Sequence, residues 1–192
     1  MPLLDRDDSV LVVVDAQPGF LAREWFADVD VAAARRALAR MAWLVALAAR
    51  LGVPVVATEE EPERNGATDT AVAEGFPPGT PVHRKPTFGL TRTPEILAAV
   101  RETARSTAVV VGCETDVCVA QSAVGLVDDG FRAVVVVDAT FSPGGMHARG
   151  LDRIAAAGVE RNHAKGVTYE WLSSVEAAHA VLRALPPAPF RL

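Results

Sequence analysis

Three side chains in this sequence have the chemistry of a nucleophilic site and fall where apolar runs give out: Asp15, Lys85 and Cys118. Asp15 ends the run Val10–Val14. Lys85 lies in the segment His83-Arg84-Lys85-Pro86-Thr87-Phe88-Gly89, and Cys118 closes the turn Gly112-Cys113-Glu114-Thr115-Asp116-Val117-Cys118. Thr115 is a good helix N-cap, because its hydroxyl accepts a backbone N–H three residues on, which places Cys118 in the first turn of a helix. There the positive end of the helix dipole favours thiolate. Free N–H groups of the same turn are ready donors for an oxyanion. A carboxylate, a cation to orient it and an activated thiol are the three roles of such a site. Each position also suits something plainer: a cysteine packed as a small apolar residue, a turn-forming aspartate, a solvated loop lysine.

The elements that must position these residues follow from the hydrophobic pattern. Val10–Val14 is a continuous apolar run, as expected of a strand buried on both faces. Val31–Leu51 is rich in Ala, Leu and Arg and stops at Gly52 with Pro54 beyond, which are helix stop signals. Val53–Thr58 reads as the second strand and Pro94–Arg105 as a helix with proline in its first turn. Ala108–Val111 and Ala133–Val137 are two more buried strands, joined by a helix from about Asp116 to Asp129 that Gly130 closes. A helix over His147–Ala157, a short strand from Val159 and a terminal helix over Thr168–Leu185 complete the pattern. Strands alternating with helices at this spacing make βαβ units, hence a mostly parallel sheet covered on both faces. No internal repeat or linker divides the chain, so residues 1–192 read as one domain. The irregular stretch Glu59–Thr80 is long for a compact domain, and loops of that length are more often functional than idle.

Composition narrows the function classes. The 192 residues are half apolar and 22% charged, enough for a self-sufficient core and too apolar for a disordered chain. Lys and Arg number 19 against 24 Asp and Glu, a net charge of −5. That balance lacks the basic footprint of phosphate-backbone binding, so nucleic acid is not expected as a partner. The longest apolar stretch, around Met41–Ala49, is far short of the ~20 residues that span a bilayer. The acidic N-terminus Asp5-Arg6-Asp7-Asp8 does not suit a signal peptide. Two cysteines spaced C-x4-C, Cys113 and Cys118, match neither a disulfide framework nor a zinc ribbon. The expectation is a cytoplasmic protein with a small-molecule substrate and no membrane contact.

Four segments carry a family resemblance: VLVVVDAQPGF at Val10–Phe20, HRKPTFG at His83–Gly89, GCETDVCVAQSAVGLVDDGFRAVVVVDAT at Gly112–Thr140 and GVTYEWL at Gly166–Leu172. In that order and spacing the sequence resembles the isochorismatase-like cysteine hydrolases over almost its whole length. The resemblance implies a three-layer α/β/α fold around a doubly wound central sheet, and a catalytic triad of Asp15, Lys85 and Cys118. The Asp would accept the thiol proton and the Lys would hold the Asp. The thiolate would attack a carbonyl to give an acyl-enzyme that water hydrolyses. The resemblance further implies a cis peptide at Cys113–Glu114, aiming the backbone N–H groups of Glu114 and Cys118 at the oxyanion, with Cys113 a structural residue.

Where nicotinamidases of this superfamily carry metal ligands after the second strand, this chain reads Thr58-Glu59-Glu60-Glu61-Pro62-Glu63-Arg64-Asn65, without histidine. No metal and no cofactor is therefore expected. His83, His147, His163 and His179 are scattered and read as surface or loop residues. Phe20, Trp25 and Phe88 are candidates for an apolar pocket wall or for plain core, Gln17 for a hydrogen bond near the site, and Arg84 for an anionic substrate or for solvent. A homo-oligomer is expected from the family, with the proline-rich tail Pro186–Pro189 and the helix around Trp171 and Leu172 as surface for it. Three readings stand: amide C–N hydrolysis through an acyl-enzyme, vinyl-ether hydrolysis with Asp15 as general acid, or a non-hydrolytic binding protein that keeps the fold.

Overall fold

The computed structural model describes residues 2–21 and 30–190. Its strands are β1 (Ser9–Val14), β2 (Val55–Glu59), β3 (Val82–Arg84), β4 (Thr107–Cys113), β5 (Arg132–Phe141) and β6 (Glu160–Asn162). They lie in the order β3-β2-β1-β4-β5-β6 and every neighbouring pair is parallel. The helices are α1 (Pro18–Leu21), α2 (Val31–Leu51), α3 (Pro62–Asn65), α4 (Thr70–Ala73), α5 (Pro94–Glu102), α6 (Ala120–Asp128), α7 (Met146–Ala156), α8 (Ala164–Leu172) and α9 (Val175–Leu182).

The unbroken valine runs are explained by burial on both sides. On one face Leu11, Val13, Val109, Val111, Val134 and Val136 pack with Ala34, Met41 and Leu44 of α2 and Val167 and Trp171 of α8. On the other Val10, Val12, Val110 and Val135 pack with Ile96 of α5, Leu126 of α6 and Ile154 of α7. The result is the expected three-layer α/β/α architecture. Helix α2 begins where expected because the Asp30 carboxylate accepts the Ala33 N–H at 2.9 Å. It ends where expected because Gly52 takes the left-handed conformation (φ 72°) and donates back to the carbonyls of Ala48 and Ala49. Among the described residues no helix is long and apolar enough to cross a membrane.

Several boundaries differ from the sequence expectation, each for a local reason. The terminal helix is two helices, α8 and α9, because Ser173 turns left-handed (φ 58°) and the Ser174 hydroxyl caps Ala177 N–H at 3.1 Å. Helix α5 stops at Glu102 rather than Arg105, ahead of a left-handed Ala104. Strand β5 runs on to Phe141 through a bulge, where the partner of β4 jumps from Val135 to Thr140. The 59–80 stretch is partly ordered by α3 and α4. The tail packs on its own domain, with Phe190 edge-to-face against Trp43 at 5.8 Å between ring centroids. Trp171 and Leu172 are buried in the core and offer no surface to a second subunit.

The strand order reverses between β1 and β4. In open parallel sheets such a switch point parts the connecting loops and leaves a crevice at the carboxyl ends of the strands. The two strands touch most closely at Val14 and Gly112, which are register partners. Gly112 has φ 131°, and a Cβ there would lie 1.8 Å from the Val14 carbonyl oxygen. Only glycine fits. Gly112→Ala should therefore cost about 2–4 kcal/mol through overpacking and backbone strain. Gly52→Ala, left-handed but with nothing within 4 Å of the added carbon, should cost about 1 kcal/mol. Chemical denaturation of both variants checks the difference, and equal losses would show that the close approach is not tight.

Candidate functional site

Four strand ends deliver the site. Asp15 follows β1 in a left-handed turn (φ 47°), its N–H donating to the Thr58 carbonyl at the end of β2 at 3.1 Å. Lys85 follows β3, its N–H donating to the Glu59 carbonyl at 2.8 Å. Cys118 follows β4 across the Cys113–Glu114 bond, which is cis as the resemblance implied.

The segment Thr115–Val119 between that bond and α6 is a wide π-helical turn, with Val119 N–H reaching the Glu114 carbonyl at 3.0 Å. Thr115 does not cap it. Its hydroxyl instead meets His147 Nδ1 at 2.8 Å. His147 thus braces the nucleophile turn from α7 rather than standing on the surface, and burial lowers its pKa. His163 and His179 are exposed, and His83 lies on β3.

The structure brings Asp15, Lys85 and Cys118 into one buried contact. Asp15 and Lys85 are both fully buried and form an ion pair, with Lys85 Nζ 2.9 Å from Asp15 Oδ2. The other carboxylate oxygen accepts the Thr58 hydroxyl at 2.7 Å. The ammonium also donates to the carbonyls of Thr87 at 2.7 Å and Phe88 at 3.1 Å, and lies 3.7 Å from Cys118 Sγ. Burial pushes the Asp15 carboxyl above the ordinary range, against the opposing pull of Lys85 and Thr58. Burial also pushes the Cys118 thiol up. The Asp15 carboxylate adds to that, and Lys85 opposes it. The resting thiol is therefore neutral. Cys113 is free, buried on the opposite face of the sheet, and likewise raised by burial.

A fourth ionisable group, overlooked in the sequence, completes the cluster. Glu60 Oε2 lies 3.3 Å from Cys118 Sγ and accepts the thiol hydrogen. The signal for it was its place one residue past β2, the strand beside β1. Gln17 fixes the Glu60 backbone: its Oε1 accepts the Glu60 N–H at 2.8 Å and its Nε2 donates to the Glu60 carbonyl at 3.0 Å. Gln17 is fully buried and so positions the site instead of facing substrate. Asp15, Glu60 and Cys118 offer ligand atoms within 4.8 Å of one another. The cation they face is the Lys85 ammonium, and Glu59, the last residue of β2, is taken up by Thr68. This donor set does not fit the histidine-bearing metal site of the nicotinamidases.

Outside the cluster a cleft of about 510 Å³ is lined by Glu60, Arg64, Arg84, Lys85 and Phe88 among others. Phe88, half-exposed, forms its apolar wall. Phe20 does not, being core beneath α2, and Trp25 lies outside the described residues. Arg84 is paired with Glu63, Nη2 to Oε2 at 2.9 Å, so it is not a free anion-binding cation.

The buried pair makes the site sensitive to single deletions. Lys85→Met leaves Asp15 without its ammonium partner and should destabilise the protein by about 3–5 kcal/mol, whereas Asp15→Asn/Lys85→Met should recover much of that. Urea denaturation of the three proteins checks it, and additive losses would contradict the pairing. In the same variants the rate of Cys118 alkylation should fall for Lys85→Met and its pH profile should move to higher pH, since Lys85 is the group that draws the thiol pKa down.

Residues 9–162 match the sequence model of the isochorismatase domain. The probable hydrolase YcaC of Escherichia coli K12 is 27% identical over 180 residues, 90% of this chain and 84% of that protein. Isochorismatase domain-containing protein 1 of Danio rerio is 38% identical over 112 residues, 57% of this chain. The match spans only 38% of the zebrafish protein's length. Among solved structures, E. coli YcaC, described as an octameric hydrolase of unknown specificity, superposes with a TM-score of 0.85 at 24% identity, covering 96% of this chain and 89% of that one. YcaC from Pseudomonas aeruginosa, solved with hexane-2,5-diol and covalent acrylamide, superposes with a TM-score of 0.81 at 24% identity, covering 97% and 93%.

Proposed function

The chain belongs to the isochorismatase family, and on that footing we propose that it is a cysteine hydrolase of a small carbonyl compound, cleaving an amide C–N bond through an acyl-enzyme on Cys118. The observation that carries this reading is the buried contact at the switch point: a lysine ammonium 2.9 Å from a carboxylate and 3.7 Å from a thiol, with Lys85 and Glu60 lining the adjoining cleft.

In this reading the thiol proton passes to the Asp15 carboxylate as Sγ attacks the substrate carbonyl and forms the S–C bond. A carboxyl raised by burial holds a proton more readily than an ordinary aspartate, which suits it to take that proton and hand it on. The backbone N–H groups of Glu114 and Cys118 are the proposed donors to the oxyanion. On collapse the C–N bond breaks and Asp15 returns the proton to the departing amine. Water then attacks the thioester, losing a proton to Asp15, and the S–C bond breaks as Asp15 returns that proton to Sγ. Lys85 holds Asp15 in place throughout and offsets the charge that develops on sulfur.

The raised carboxyl favours a second reading as well. Asp15 as general acid would protonate a vinyl ether, with Cys118 less important. Separate substitutions tell the two apart. On the amide route both Cys118→Ala and Asp15→Asn should lower kcat/KM by at least about 100-fold on whichever small amide turns over. Intact-protein mass spectrometry of the wild type should show an acyl adduct that Cys118→Ala lacks. Turnover that survives Cys118→Ala but not Asp15→Asn would sink the amide route and support the vinyl-ether one. A protein that turns over neither substrate class and forms no adduct would be the binding module. The octameric YcaC supports a homo-oligomer here too, which light scattering on the purified chain would test.

A further inference from the structure

Among the described residues the three cations at the cleft are each paired with a carboxylate other than Glu60, which sits beside the Cys118 thiol. Lys85 is paired with Asp15, Arg84 with Glu63, and Arg64 Nη1 lies 3.5 Å from Glu61 Oε2. Glu60 is a fourth carboxylate beside these three cations, and its Oε2 accepts from the Cys118 thiol at 3.3 Å. A reacting carbonyl must come to roughly 3–3.5 Å from Sγ. Glu60 Oε2 lies beside the same sulfur and lines the cleft, so a substituent of that carbonyl carbon directed along the cleft meets Glu60 Oε2. The Glu60 backbone cannot retreat, because Gln17 clasps it from both sides and Asn65 Nδ2 donates to its carbonyl at 2.8 Å.

From this juxtaposition we infer that Glu60 is a specificity-determining residue. It selects substrates that present a cationic or N–H-donating nitrogen next to the scissile carbon, such as an amidine, ureido or primary amide group, and rejects substrates with a carboxylate there. An approaching N–H finds an acceptor in Glu60, a carboxylate that forms no ion pair among the described residues. An approaching carboxylate finds a like charge at contact distance in a half-buried site, where screening by water is weak. The inference rests on Cys118 being the reactive thiol of the proposed function, but not on any turnover.

Alkylation with three near-isosteric reagents tests it: 2-chloroacetamidine (cationic), 2-chloroacetamide (neutral) and chloroacetate (anionic). Rates of Cys118 modification, followed by intact-protein mass spectrometry, are each divided by the rate of the same reagent with N-acetylcysteine. That division removes intrinsic reactivity, and the ratio between reagents removes any change in the thiol itself. The wild type should favour the amidine over the carboxylate by about 10-fold or more. Glu60→Gln should bring the ratio down several-fold toward one, and Glu60→Asp, which keeps the charge, should retain the preference for the amidine. Cys118→Ala should take up none of the reagents under the same conditions. An unchanged ratio in Glu60→Gln, or no preference in the wild type, overturns the inference whether or not an amide substrate has been found. Normal charge selection together with failure of every hydrolysis assay would instead remove the proposed function and leave Glu60 as the filter of a binding site.

Discussion

The ion pair between Asp15 and Lys85 is the constraint around which the rest of the site is arranged. Bringing a carboxylate and an ammonium into full burial costs several kcal/mol per ion, and mutual attraction offsets this only when the remaining donors and acceptors are also satisfied. Here they are: Thr58 donates to one carboxylate oxygen, and the Thr87 and Phe88 carbonyls accept from the ammonium. Three strands must end at matched heights for this to happen, since Asp15, Thr58 and Lys85 come from β1, β2 and the exit of β3. The register of the sheet, with Val14 beside Thr58 and Glu59 beside Arg84, provides the match.

Cys118 is delivered from the other side of the switch point, and its placement depends on how closely β4 approaches β1. Gly112 lets the two backbones meet at Val14, the residue before Asp15. The chain then passes through the cis Cys113–Glu114 bond into the wide turn that carries Cys118. Gly150 of α7 supports that turn from outside, since a Cβ there would lie 2.7 Å from the Asp116 backbone. His147, on the same helix, holds Thr115. Two glycines and one histidine with no part in the chemistry thus fix the position of the sulfur.

The parallel sheet was legible because both faces are buried, which leaves valine runs without alternation. The limits of α2 were legible because its cap and its left-handed glycine are local signals. The cluster of Asp15, Lys85 and Cys118 was legible as three ionisable residues at strand exits, and the family resemblance joined them. What escaped was decided by contacts distant in sequence. Thr115 looked like an N-cap, but a histidine 32 residues away captures its hydroxyl. Gln17 reads as making a hydrogen bond near the site, but its partner, the backbone of Glu60, lies 43 residues away. Trp171 and Leu172 read as surface because the terminal helix was taken as unbroken, and the break at Ser173 is what allows α8 to turn them inward.

Glu60 is the most instructive omission, because a run of glutamates in a loop ordinarily reads as a solvated face. Its neighbours behave that way: Glu61 and Glu63 lie at the surface and pair with arginines. Glu60 differs only because it directly follows β2, where the chain is still held by the sheet and by Gln17. The consequence is electrostatic. Two carboxylates and one ammonium face a thiol already penalised by burial, and the balance keeps sulfur protonated at rest. On the proposed reading, a substrate group that donates to Glu60 would remove part of that opposition as it arrives. Lys85 and Asp15, beside the same sulfur, would then offer a cation to the developing thiolate and a carboxylate to its proton, so that binding and activation would be coupled through a single side chain.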